Sequence, residues 1–478
     1  MVVGQHFNME HHDLIFSGAH IVSGGKTKLI DMAIQGEKIS ALGAPGTLGS
    51  AKKVFDVRGK YIIPGAIDVH VHFREPGYSY KEDWYTGTQA AAMGGVTTIF
   101  EMPNTNPPTR STVELNEKKA LAEKACVDFG IYGLLAEDNL NEIEGLISEG
   151  ANAFKCFMGN TFGNLPSPST GAMLEGFEKI AKAGLRISLH AETASIMAHR
   201  QKKLEEAGKN EPLNHLDARP EIVAIEAVSR AAVLAEWTGA RIHVLHISSA
   251  GELRPLNEAK IRGVDVTGET CPCYLYLDTS NYESLGSIIR VNPPVRTKND
   301  ANEIWKALKN GVIDMIATDH APHTAAEKMK GSIWEADCGF PGVETQMPLM
   351  LTAVNQGKIT LEHYVKISSE NPARAFGLWP HKGNISVGAH ADITVIDIHR
   401  KETIKAANLH SRGKITPFEN FETIGAPVHT LVRGRFVQKD RKICSDIKGH
   451  GKQVSDIQKM PPAKPNNAEH AIDKILEK

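Results

Sequence analysis

The sequence predicts an α/β fold: a (β/α)8 TIM-type barrel with a small β-sandwich lobe formed by both chain ends. Three observations predict it. Apolar strand-like runs alternate with helix-length segments about eight times through the middle of the chain, the pattern of a parallel barrel with helices outside. Short strands separated by glycine turns fill the first sixty or so residues, and the same style returns after Gly388. The length, 478 residues, accommodates a large barrel and a second lobe.

Taken in order, Asp13–Phe16 and His20–Val22 are apolar runs, broken by Gly24-Gly25 and followed by Ile30–Ile34 and Lys38–Leu42. From Ile62 the rhythm changes. Ala66–Val69 reads as a strand, Asp83–Met93 as a helix, and Gly94-Gly95 separates that helix from the strand Val96–Phe100. Further strands are expected at Phe129–Leu134, Ala153–Met158, Arg186–Leu189, Arg241–Ile247, Asp265–Glu269 and Ile313–Ala317, with helices such as Glu221–Thr238 and Ala301–Lys309 between them. Ala391–Ile396 and His429–Phe436 read as sandwich strands. The boundaries that follow are 1–62 for the N-terminal part of the lobe, 63–384 for the barrel, 385–440 for the C-terminal part of the lobe, and 441–478 for an extended tail rich in Lys, Pro and Asn, mobile or draped on a partner.

Composition narrows the class. Hydrophobic residues make up 41% and charged residues 23%, an ordinary soluble balance. A net charge of -2 leaves no broad basic field for a nucleic acid backbone. No run of about 18 apolar residues suggests a membrane span, and Met1–His12 lacks the basic start and apolar core of a signal peptide. The six cysteines, Cys126, Cys156, Cys271, Cys273, Cys338 and Cys444, are scattered, so no disulfide framework is expected and a cytoplasmic location follows.

A barrel of this type carries its chemistry at the C-terminal ends of its strands. The first barrel strand ends in Asp68-Val69-His70-Val71-His72. Histidines at i and i+2 on a strand face the same side, and neutral imidazoles so placed can grip a divalent metal. The pair alone is weak, since the chain has 21 histidines. Later strands strengthen it: Arg186–Leu189 ends in His190, Arg241–Leu245 in His246, and Ile313–Thr318 in Asp319. Lys155 follows an apolar strand and has apolar neighbours, Phe154 before it and Cys156-Phe157 after it. Burial favours its free amine, which can take up carbon dioxide as a carbamate and bridge two metals. The alternative is a snorkelling or salt-bridged lysine. The accompanying histidines favour the bridge.

Five segments carry a family resemblance: Pro64-Gly65-Ala66-Ile67-Asp68-Val69-His70-Val71-His72, Phe154-Lys155, Leu189-His190-Ala191-Glu192, His243-Val244-Leu245-His246-Ile247-Ser248 and Ala317-Thr318-Asp319-His320. Together they resemble the cyclic amidohydrolases, the group of dihydroorotases, allantoinases and hydantoinases, from about residue 13 to about residue 440. Phe73-Arg74-Glu75-Pro76-Gly77, Glu101-Met102-Pro103-Asn104-Thr105 and Asp319-His320-Ala321-Pro322-His323 resemble dihydroorotases in particular. That resemblance implies that Arg74, Asn104 and His323 hold a substrate carboxylate and that Asn292 addresses the ring edge. The alternative for Arg74 is a structural ion pair with Glu75 or Glu101. Cys273 stands where relatives commonly carry His or Gln, so the Cys271-x-Cys273 pair reads as core. The Trp237–Ala240 and Tyr274–Asp278 segments resemble allantoinases and hydantoinases.

The resemblance implies two divalent ions, zinc by default. His70 and His72 would hold one and His190 and His246 the other, with carboxylated Lys155 bridging and Asp319 completing the first site and moving the proton. The implied reaction is hydrolysis of a small-molecule cyclic amide, or the reverse condensation. Dihydroorotate and N-carbamoyl-aspartate are the expected pair, as in de novo pyrimidine synthesis, and allantoin or a hydantoin is the alternative. A homo-oligomer, dimer or tetramer, is expected. A non-catalytic scaffold relative would have lost ligands, whereas every expected position is filled here.

Overall fold

Glycines at positive φ punctuate the first strands. Gly24 (φ 56°) and Gly25 (φ 73°) make the two-residue turn between β1 (His11–Ser23) and β2 (Lys26–Gln35). β3 (Lys38–Gly43) continues the meander, while β4 (Ser50–Asp56) and β5 (Tyr61–Pro64) return to lie parallel to β1. The computed structural model describes residues 11–162 and 165–459. The runs expected at Asp13–Phe16 and His20–Val22 are one strand. β1 stays continuous through a register shift between Phe16 and Ala19, where the Gly18 amide donates to Asp31 Oδ1 at 2.8 Å.

The barrel is built from eight parallel strands in chain order: β6 (Ala66–Val71), β7 (Val96–Glu101), β8 (Asp128–Leu135), β9 (Ala153–Phe157), β10 (Arg186–His190), β11 (Arg241–Val244), β12 (Val266–Thr270) and β13 (Met315–Ile316). Runs such as Val-Thr-Thr-Ile-Phe in β7 suit strands buried on both faces. The ring closes beyond β13, where the His72 amide donates to the His320 carbonyl at 2.7 Å. β11 and β13 are shorter than the expected Arg241–Ile247 and Ile313–Ala317. The chain leaves the ladder early there to turn the residues that follow into the barrel mouth. Outer helices bury small residues against the strands: the helix Ile222–Thr238 buries Ala224, Ala227, Ala231 and Ala235 and stops at Gly239 (φ 70°). Asp83 caps the helix Trp84–Met93 through a reciprocal capping box with Thr86. Among the described residues no helix is long and apolar enough to cross a membrane.

β14 (Ile393–Thr403) pairs antiparallel with β5, which joins the two chain ends in one nine-stranded sheet. The run expected as one strand at His429–Phe436 is a hairpin. β15 (Glu422–Val432) turns at Arg433-Gly434, both at positive φ, into β16 (Arg435–Lys439). The lobe has its own core, including Phe16, Ile21, Met32, Ile62, Ile393 and Val395. Residues 441–459 are not an extended tail. β17 (Lys442–Ile443) pairs with β16, Gln453 bridges to Phe129, and Val454 and Ile457 are buried against the bottom of the barrel. These apolar residues, spaced by three, anchor a segment whose overall polarity suggested mobility. Residues 460–478 of the expected tail lie outside the described residues.

A buried ionic cluster locks lobe to barrel. Lys382 Nζ donates to Asp128 Oδ2, which opens β8, at 2.7 Å and also pairs with Asp392 just before β14; Arg433 pairs with Asp128 and its amide donates to Asp392 Oδ1 at 2.7 Å. Breaking a buried pair from one side leaves the partner uncompensated, at a cost of about 3–5 kcal/mol. Lys382→Met is therefore expected to lower stability by about that amount in urea unfolding, whereas exchanging the exposed Lys202, whose Glu206 partner is also exposed, leaves the midpoint unchanged.

Candidate metal and substrate site

Six of the eight barrel strands deliver polar residues to the mouth. His70 comes from β6 and His72 just after it, Lys155 from β9, His190 from β10, His246 after β11, Glu269 from β12 and Asp319 after β13. Strand alternation turns Asp68, His70 and His72 to one side. Asp319 Oδ1 lies 3.2 Å from His70 Nε2 and 3.1 Å from His72 Nε2. His190 Nδ1 lies 2.9 Å from His246 Nε2, and the His70 ring centroid is 5.3 Å from those of both His72 and His246. The structure thus brings the four predicted histidines and Asp319 together.

The outward ring nitrogens are tied to acceptors. His70 Nδ1 meets Glu269 Oε1 at 2.6 Å, His72 Nδ1 meets Asn104 Oδ1 at 2.7 Å, and His190 Nε2 meets Glu192 Oε2 at 3.0 Å. An acceptor on one nitrogen fixes the tautomer and turns the other nitrogen's lone pair toward the centre. Burial pushes all four imidazoles below their ordinary range, His72 to about 4 despite the raising effect of Asp319. Burial also brings Lys155 down to about 8, against the opposing pull of Asp319 and Glu269. Its Nζ lies 4.8 Å over the Phe157 ring and makes no ion pair with any described residue. The snorkelling and salt-bridged alternatives therefore do not describe it.

These residues fit a divalent metal. Neutral imidazoles and a carboxylate are suitable donors, and the ligand atoms of His70, His72 and Asp319 lie within 4.8 Å of one another. His246 Nδ1 is buried with no hydrogen-bond partner. Two other clusters of this spacing do not call for a metal, because each already holds a buried lysine: Lys382 among Asp128, His390 and Asp392, and Lys81 among His323, Glu327 and Asp337. Arg74, His246 and Asp319 have positive φ, 64°, 39° and 47°, in residues with a Cβ. That conformation is uphill and persists where surrounding structure enforces it.

Arg74 is buried and has no carboxylate partner among the described residues. Its Nε donates to the Pro322 carbonyl at 3.2 Å, its Nη2 lies 2.9 Å from His323 Nε2, its Cζ sits 4.4 Å over the Phe162 ring, and its Nη1 is unsatisfied. Burial lowers it to about 10, which leaves it cationic at neutral pH. The alternative ion pairs are absent: Glu75 pairs with Lys124 at 2.8 Å, and Glu101 faces Lys118 at 3.6 Å. His323 stands beside Arg74 with its Nδ1 between Lys81 Nζ and Asp337 Oδ2. Asn104 is committed elsewhere, its carbonyl to His72 and its amide nitrogen to the Phe162 carbonyl at 3.3 Å. Asn292 is tied to His215 at 2.8 Å and to Arg219. Cys271 and Cys273 are both buried in the main core.

Sequence reasoning assigned no role to Glu269, Glu192 or Arg219. Glu269 is the hub of the site: one oxygen meets His70 and the other meets His243 Nε2 at 3.0 Å. Its signal was present, a carboxylate closing an apolar run, as at the other strand ends. Glu192 stands two residues after His190 and pairs with Arg219; burial would raise its carboxyl, but Arg219, His190 and Arg296 together hold it low. Arg219 had no local signal.

A model of the amidohydrolase family matches residues 61–437. A dihydroorotase of Methanosphaera stadtmanae is 36% identical over 394 residues, covering 82% of this chain and 88% of its own. An allantoinase of Solibacter usitatus is 32% identical over 426 residues, covering 88% and 93%. The solved L-hydantoinase (dihydropyrimidinase) from Arthrobacter aurescens superposes with a TM-score of 0.90 at 34% identity, covering 92% and 99%.

The buried histidines have a measurable signature. Burial, reinforced by Arg186, pushes His243 down to about 3. A group depressed on folding binds fewer protons in the native state, so its stabilisation is complete above the unfolded value of about 6.5 and is lost as pH falls toward 3. The melting temperature is expected to fall across that window, and in His243→Asn the proton uptake on unfolding drops by about one.

Proposed function

The chain belongs to the amidohydrolase family and is a hydrolase of cyclic amides; on that premise we propose that it is a dihydroorotase, interconverting dihydroorotate and N-carbamoyl-aspartate. The observation that carries this reading is Arg74: a buried guanidinium at the barrel mouth, with one unsatisfied nitrogen and no carboxylate of its own. Burying an unpaired charge is costly unless a ligand completes it. The planar fork of donors suits a carboxylate, which dihydroorotate carries and hydantoin and allantoin lack.

His70 and His72 with Asp319 would hold one divalent ion, and His190 with His246 a second. Lys155 would bridge them as a carbamate, formed when its free amine adds to carbon dioxide and loses a proton. A pair of such ions, when bound, supplies Lewis acidity and lowers the pKa of water. The chain does the rest. Glu269, Asn104 and Glu192 hold the imidazoles in orientation. Arg74 and His323 orient the substrate carboxylate, so the ring amide meets Asp319 in reacting geometry. Asp319 accepts the proton of the attacking water and returns it to the ring nitrogen as the carbon–nitrogen bond breaks. Ring closure runs the same transfers in reverse. Asn104 would act chiefly through His72, and Asn292 would line the ring edge through the framework it shares with His215 and Arg219.

Side-by-side turnover of dihydroorotate, hydantoin and allantoin tests the reading, with dihydroorotate expected to have the highest kcat/KM. A preference for hydantoin, the activity named for the solved neighbour, would overturn it. Arg74→Met is expected to lower kcat/KM for dihydroorotate about 100-fold, the worth of a charge-assisted hydrogen bond made in a buried site. Lys155→Ala is expected to lose bound metal by elemental analysis; full metal content and activity would remove the bridging role.

A further inference from the structure

Resting on that reading of Arg74, the question is what keeps the guanidinium unpaired and turned to the mouth. Arg74 takes φ of 64°, a conformation unfavourable for a residue with a Cβ. The peptide before it is pinned. The Phe73 amide donates to Glu101 Oε2 at 2.7 Å, and the Phe73 ring is buried edge-on against Trp84. Glu101 is wholly buried at the end of β7. Its Oε1 accepts no hydrogen bond and faces Lys118 Nζ at 3.6 Å, while Lys118 donates to the Met102 carbonyl at 2.8 Å. A helix on the outside of the barrel thus sends a fully buried lysine inward to meet this carboxylate.

We infer that Glu101 is a positioning residue for carboxylate recognition. It holds the Phe73 amide, and through it the left-handed Arg74, while Lys118 restrains the same carboxylate from capturing the guanidinium. A buried carboxylate free to move would pair with the nearest buried cation, because the attraction is large where water is excluded. Lys118 supplies that cation on the side away from the mouth. The arginine is left for the substrate.

Two double variants isolate the acceptor from the charges. Glu101→Gln with Lys118→Met keeps an oxygen for the Phe73 amide and removes both charges. Glu101→Leu with Lys118→Met is equally neutral and offers no acceptor. In steady-state kinetics with dihydroorotate, the first is expected to keep KM within about threefold of the wild-type enzyme and the second to raise it about tenfold or more, with kcat and metal content alike in both. Equal KM values would overturn the inference, as would a loss that falls on kcat and metal content instead. Crystal structures of the two variants supply a reading independent of substrate: Arg74 stays at positive φ in the glutamine variant and leaves it in the leucine variant, and positive φ in both overturns the inference. If the wild-type enzyme does not turn over dihydroorotate, the proposed function fails and the Arg74 conformation alone judges Glu101.

Discussion

Glu269 accepts from two histidines at once, and the mouth of the barrel depends on that arrangement. Four imidazoles, a lysine amine and several carboxylates are buried together there. In such a space each polar group must find a partner or change its protonation state. Glu269 partners His70 and His243, Glu192 partners His190, and Asn104 partners His72. For His70, His72 and His190 the partner sits on the outer nitrogen and turns the other nitrogen toward the cluster. The same desolvation that makes the site expensive to build prepares it to receive cations.

Precision at the mouth also draws on stored backbone strain. Arg74, His246 and Asp319 are held in left-handed conformations just past the ends of their strands. The ladder ends early at β11 and β13 so that the following residues can turn inward. Strain of this kind survives only on a rigid support. The support here is a core of branched residues within and around the ring, together with the lobe, whose Arg433 pairs with Asp128 at the opposite end of the barrel and whose Asp392 shares Lys382 with it. The lobe also sends a loop to the mouth, where Ser411 pairs with Glu82 and Arg412 Nη2 with Asp83 Oδ2 at 2.6 Å. Both chain ends therefore stabilise a site to which they contribute no ligand.

The histidine cluster and Arg74 differ in how far their polar atoms are engaged. The outer nitrogens of His70, His72 and His190 meet Glu269, Asn104 and Glu192, whereas the Nη1 of Arg74 has no hydrogen-bond partner among the described residues. Phe162 and His323 pack around that guanidinium without neutralising it. A buried charge without a partner gains most from a ligand that supplies one.

The strand-helix alternation and the polar residues at most strand ends are legible in the sequence, because they are local, governed by side-chain periodicity and by the barrel rule that chemistry collects at one face. His70, His72, Lys155, His190, His246 and Asp319 were legible for that reason. How they are held depends on contacts between distant parts of the chain. Glu269 lies 199 residues from His70, and Arg219 reaches Glu192 from a loop with no periodic signal. Among the described residues the tertiary structure also leaves Arg74 without an ion pair, because the competing carboxylates face Lys124 and the buried Lys118, whose placement no local pattern announces. The same distinction explains the segment 441–459: its polar composition suggested an extended tail, whereas Val454 and Ile457 find an apolar seat on the barrel that exists only once the barrel has folded.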